Sequence, residues 1–138
     1  MKKQMFALLG LSLMLATVSA YGQTVLVKAH IPFHFSVTGA TLPAGAYTIQ
    51  SLTADGMVLS IRDSDMKAQE MVLAIECESR NDAKQSKLVF HRYGDRYFLT
   101  QVWVAGRNLG HRIPKSPRET EVAKDYTMQE VVLVAALR

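Results

Sequence analysis

Apolar and polar residues alternate along much of this chain with the two-residue period of a β-strand. From Val25 to Val37 every odd position is apolar. The even positions hold Lys28, His30, Pro32, His34 and Ser36, with Leu26 the one exception. Strict alternation over so long a run predicts a strand with one buried face. Pro32 has no N–H to give a ladder, so the strand is expected to bend there or to lie on an edge. Thr38-Gly39 ends the run. Leu42-Pro43-Ala44-Gly45 reads as a type I turn, followed by a strand over 46–52. Asp55-Gly56 is a strong hairpin dipeptide and leads into a strand over 57–63. The next strand, 69–78, sets Met71, Leu73, Ile75 and Cys77 on one face and Glu70, Glu76 and Glu78 on the other. The apolar set is expected inside.

The stretch Lys87–Gly106, KLVFHRYGDRYFLTQVWVAG, predicts a central hairpin turning at Gly94-Asp95. Folding it there pairs Tyr93 with Arg96, His91 with Phe98, and Phe90 with Leu99. Such aromatic and β-branched pairs contribute a few tenths to ~1 kcal/mol each. Beyond Gly106 the chain turns basic, and 107–118 is expected to be a loop. Ser116-Pro117-Arg118-Glu119 then matches a helix start, with Ser as N-cap, Pro at N1 and Glu at N3. That helix is expected to end near Lys124 or Asp125. The valines of the last segment, 130–137, favour a strand over a helix. With about seven strands, one short helix near 117–125 and no βαβ alternation, the fold class is all-β and mainly antiparallel. The architecture is expected to be a small sandwich or a partly closed barrel.

The first twenty residues change the picture of charge and compartment. Lys2 and Lys3, an apolar run over 5–18 and Val18-Ser19-Ala20 form a secretory signal peptide. The mature domain is then 21–138, periplasmic or extracellular, with no transmembrane span. The whole chain has 16 Lys+Arg against 12 Asp+Glu. Removing Lys2 and Lys3 leaves 14 against 12, a net charge of +2. The basic balance thus belongs largely to targeting, and nucleic acid is not an expected partner. Cys77 is the one cysteine, so no internal disulfide can brace the fold.

Three stretches, HIPFHFSVTGATLPAGAYTI, LVFHRYGDRYFLTQVWVAGRNLGHRIPKS and RETEVAK, carry a family resemblance. The chain resembles a group of short, exported, uncharacterised β-proteins frequent in acidobacterial genomes. Their shared features are an I-P-F-x-F entry, an L-P-A-G-x-Y turn, and an F-x-R-Y-G-D hairpin before a basic loop. The resemblance covers 28–124 and implies export and a β-fold. It implies no activity, ligand or catalytic residue.

Sites for chemistry are sparse. His30 and His34 share a strand face but stand ~13 Å apart at ~3.3 Å per residue, too far for one metal ion unless Pro32 folds the chain sharply. They read as solvent-facing histidines. Asp63-x-Asp65 lacks the later ligands and the glycine of a calcium loop. There is no Gly-rich phosphate loop, nucleophile elbow or H-E-x-x-H motif. Cys77 reads as a buried, inert thiol. No catalytic residue, metal or cofactor is assigned. The best binding candidate is the basic loop, with Arg107, His111, Arg112 and Lys115 beside Trp103, Tyr97 and Tyr93. Arg118 belongs to the same loop, which would face an anionic or glycan component of the cell envelope. A non-enzymatic binding or scaffold domain is therefore the leading expectation. A small-ligand carrier with a cavity inside a barrel is the alternative, and a hydrolase or redox enzyme comes third.

Overall fold

A computed structural model describes residues 24–65, 68–78, 84–106 and 109–135. The expected signal peptide and Arg107 lie outside the described residues. Eleven strands and one helix are found among the described residues: β1 (Thr24–Ile31), β2 (Phe35–Val37), β3 (Ala40–Leu42), β4 (Gly45–Ser51), β5 (Val58–Asp63), β6 (Gln69–Leu73), β7 (Ile75–Glu78), β8 (Ser86–Tyr93), β9 (Arg96–Trp103), β10 (Leu109–Arg112), α1 (Pro117–Val122) and β11 (Met128–Ala135). One sheet has the order β1-β4-β5-β6, the other β11-β8-β9-β10-β7. The β2–β3 hairpin joins the second sheet through a parallel bridge from Ser36 to Phe98. Every other pairing is antiparallel.

The sheets face each other across one core, where Phe35, Tyr47, Ile61, Leu88, Phe90 and Val102 are all buried. Each large side chain removed from water there contributes ~1.5–3 kcal/mol. The aromatic rings meet edge to face, Phe35 with Tyr47 at 5.2 Å and with Phe90 at 5.8 Å. On one flank β1 and β11 touch without sharing a ladder. The fold is therefore a sandwich and not a closed barrel. No helix among the described residues is long and apolar enough to cross a membrane.

The strand count exceeds the expected seven because two long strands break where they change sheets and because β3 and β10 form where no strand was expected. The first breaks at Pro32, with β1 in one sheet and β2 in the other. Leu26, the exception to the alternation, sits where the register shifts between Val25 and Val27. The bulge lets Leu26 and Val27 both point inward. After β2, Thr38 (φ 45°) and Gly39 (φ 85°) form a two-residue turn with both φ positive, the type I′ pattern. The expected strand 69–78 breaks at Ala74 into β6 and β7. Its faces are inverted relative to expectation. Val72 and Ala74 point inward, while Met71, Leu73 and Ile75 are exposed. Both faces of that run are apolar around 71–75, so alternation alone could not choose between them.

The central hairpin forms with the expected register at Tyr93↔Arg96, His91↔Phe98 and Phe90↔Leu99. The basic stretch after it is not wholly a loop, since 109–112 forms β10 between β9 and β7. α1 covers the outer face of the second sheet, packing Val122 on Tyr93 and Phe98. Ser116 caps it by accepting the Glu119 N–H at 3.2 Å, with Pro117 in the first turn. The helix ends at Val122, two residues early. The backbone bonds Lys124 N–H to Glu121 C=O and Asp125 N–H to Val122 C=O carry a tighter turn to the expected end.

Candidate functional site

The structure takes the expected aromatic platform apart. Trp103 is buried. It stands opposite Gly110 across the β9–β10 ladder and donates its Nε1–H to Gln101 Oε1 at 2.8 Å. Its bare partner Gly110 leaves the indole room to lie over the neighbouring backbone. Trp103 is thus a packing residue, not an exposed stacking surface for a glycan. Tyr93 is buried too, and Tyr97 is stacked on Phe33 with ring centroids 3.7 Å apart. His111 is half-buried, its Nδ1 3.1 Å from the Gly56 carbonyl. A carbonyl can only accept, so Nδ1 carries the proton. His111 therefore fastens β10 to the β4–β5 turn. Of the predicted basic residues, Arg112, Lys115 and Arg118 are exposed cations.

Lys115 lies in a surface groove of about 660 Å³. One wall is Leu73 at the end of β6, another the Thr38-Gly39 turn, and a third the run from Pro114 to Arg118. Glu121 is the acid in this lining. Arg118 also borders a smaller hollow of about 210 Å³, which contains His34, Asp95 and Arg96. The two hollows therefore flank the β2–β3 hairpin and share one arginine. Both open on the outside of the sandwich. Phe35, Tyr47 and Phe90 lie in the core between the sheets, where a carrier would hold its ligand.

A second cluster lies under α1. Glu119 is 3% exposed. Its Oε2 accepts the Tyr93 hydroxyl at 2.9 Å and lies 3.2 Å from His91 Nδ1. Burial, then the adjacent carboxylate as bond acceptor and negative charge, push the Tyr93 hydroxyl up to about 12. The N3 position of the helix predicted a capping carboxylate; instead the side chain turns into the protein and ties the helix to β8. A carboxylate that orients an imidazole is also a component of nucleophilic catalysts. Here the cross-strand neighbours of His91 are Phe98 and Glu130, and no hydroxyl or thiol among the described residues bonds to its ring. The arrangement holds a helix in place.

Cys77 is half-buried rather than fully buried. Desolvation pushes its thiol up, partly opposed by Arg112 and the Gly110 backbone. His30 and His34 are exposed as expected. The described residues contain no group of three or more His, Cys, Asp or Glu placed to hold a metal ion. No family model matches the chain, and neither a curated protein nor a solved structure does. The groove residues missed by sequence reasoning are Leu73 and the Thr38-Gly39 turn. Gly39 between two short apolar runs was the available signal for that turn.

Proposed function

We propose that the mature chain is an exported, non-enzymatic binding domain of the cell envelope, taking an anionic partner in the groove beside β6. The observation that carries this is the placement of Lys115 and Arg118 in one open groove with Glu121 as its acid. Arg112 adds an exposed cation on the neighbouring strand. Export rests on the Lys2-Lys3 and apolar signal pattern, and the family resemblance supports it.

Exposed cations give ~1 kcal/mol or less per contact and are screened by salt. Retention of the mature protein on immobilised dextran sulfate should therefore fall as ionic strength rises. Replacing Lys115 and Arg118 together with Gln should weaken it by about tenfold, with an unchanged melting temperature. A folded double variant retained as well as the wild type would remove the groove from consideration. Mass spectrometry of the native protein showing Met1 still attached would remove the export half of the proposal.

A further inference from the structure

The groove is the place of a missing strand, and its origin can be traced residue by residue. Ala74 N–H bonds to Met57 C=O at 2.8 Å, so the backbone of Ala74 faces β5. Antiparallel ladders alternate, so Val72 and Glu70 also face β5. Met71 and Leu73 then direct their N–H and C=O groups away from it, out of the sheet edge. On β7 the edge facing that way is occupied. Ile113 N–H bonds to Thr100 C=O at 2.8 Å, which turns the backbones of Arg112 and Gly110 toward β7, where they pair with Ile75 and Cys77.

Extending the Arg112↔Ile75 register by two residues sets Pro114 against Leu73. Proline has no N–H and cannot continue the ladder. The chain leaves toward α1 at that point, and Pro114 and Leu73 both line the groove. The edge groups of Met71 and Leu73 have no backbone partner among the described residues. The side chains of both are exposed, at 64% and 69%. A bare strand edge with exposed apolar side chains is a template for another strand. At the Leu73 end of this edge, Lys115, Arg118 and Glu121 line the same groove.

From this we infer that the anionic partner is a polypeptide, an extended acidic segment that adds to β6 as a short strand in the place β10 vacates. This rests on the anionic reading of the groove and adds to it the class of partner. Main-chain bonds to Met71 and Leu73 supply affinity and register, the cations select acidic side chains, and Leu73 contacts an apolar one. Polyanions without a peptide backbone would use the cations alone.

The test puts the critical change in the ligand, so folding of the protein is not at issue. The mature chain is titrated with a synthetic acidic peptide, acetyl-Thr-Val-Asp-Val-Glu-amide, and with the same peptide N-methylated at alternate amides in each of the two phases. Amide hydrogen exchange is read at Met71 and Leu73. The unmodified peptide should slow exchange at both amides at least tenfold at saturation. One methylated phase should bind at least tenfold more weakly than the other. Binding of the unmodified peptide without protection of Met71 and Leu73, or equal binding of both methylated phases, would overturn strand addition. Retention on dextran sulfate that still depends on Lys115 and Arg118 would, in that event, leave the anionic groove standing. Loss of both peptide and dextran sulfate binding would overturn the two proposals together.

Discussion

Gly110 faces Trp103 so closely that a methyl group on its α-carbon would lie 2.5 Å from Trp103 Cε3. The glycine is required by sterics here, not by its turn chemistry. Gly110→Ala should force the indole out of its place and away from Gln101. Overpacking of this kind costs ~1–3 kcal/mol. The expected result is a lower denaturant midpoint and a shifted Trp103 emission maximum. An unchanged midpoint would mean that the indole has slack the structure does not show.

Glu119 links α1 to β8 through one oxygen atom, which serves both Tyr93 and His91. Glu119→Ala leaves the buried Tyr93 hydroxyl unpaired, at a cost of ~1–3 kcal/mol. Ser116→Ala removes only the cap, at ~1 kcal/mol. Chemical denaturation should therefore rank Glu119→Ala as the more damaging. The reverse order would make the buried carboxylate incidental to stability.

The raised Tyr93 hydroxyl predicts an alkaline transition. Above pH ~10 the unfolded chain loses this proton, while the folded chain keeps it up to about 12. The unfolded state then binds fewer protons, so stability falls as pH rises. The contribution is fully present below pH ~10 and is lost as pH rises through about 12; it is on the order of 2 kcal/mol. Denaturation midpoints from pH 9 to about 12 should show the decline, and Tyr93→Phe should flatten it. An equally steep decline in the variant would assign it elsewhere, Tyr47 being the next candidate because burial raises it too.

Cys77 should react slowly with an alkylating reagent at neutral pH, since desolvation disfavours its thiolate. Being half-buried, it should nonetheless react without global unfolding. Its rate should therefore stay nearly constant over denaturant concentrations below the unfolding transition. A rate that tracks the unfolded population would show that the thiol is enclosed after all.

Much of the fold was legible because its signals are local. The hairpin register followed from Gly94 and the flanking apolar runs, and the helix start from Ser116 and Pro117. The two places where strands change sheets were only half legible. Pro32 announced a bend, and the bend proved to be a change of sheet. Nothing local marked Ala74, because residues on both sides of the 71–75 run are apolar and only the second sheet decides which go inward. The site was the least legible part. Lys115 was found by its charge, but its groove depends on where Pro114 meets Leu73, about forty residues apart along the chain. Trp103 was illegible for a similar reason, since its burial depends on a bare glycine in β10, a short strand within a basic stretch that carries no alternating pattern.

The run from Gln69 to Glu78 bonds to β5 in one sheet and β10 in the other. His111 adds a second tie between β10 and the turn before β5. Neither sheet can thus fray from this flank while the other stays whole. The opposite flank, where β1 and β11 meet without a ladder, is coupled more weakly, through the passage of β1 into β2 and the single bridge from Ser36 to Phe98. Thermal breathing should therefore be lopsided, a book that opens along the β1–β11 fore-edge while the β6–β7 spine holds. The groove beside β6 lies against the spine, so a guest strand would meet an edge already held in shape.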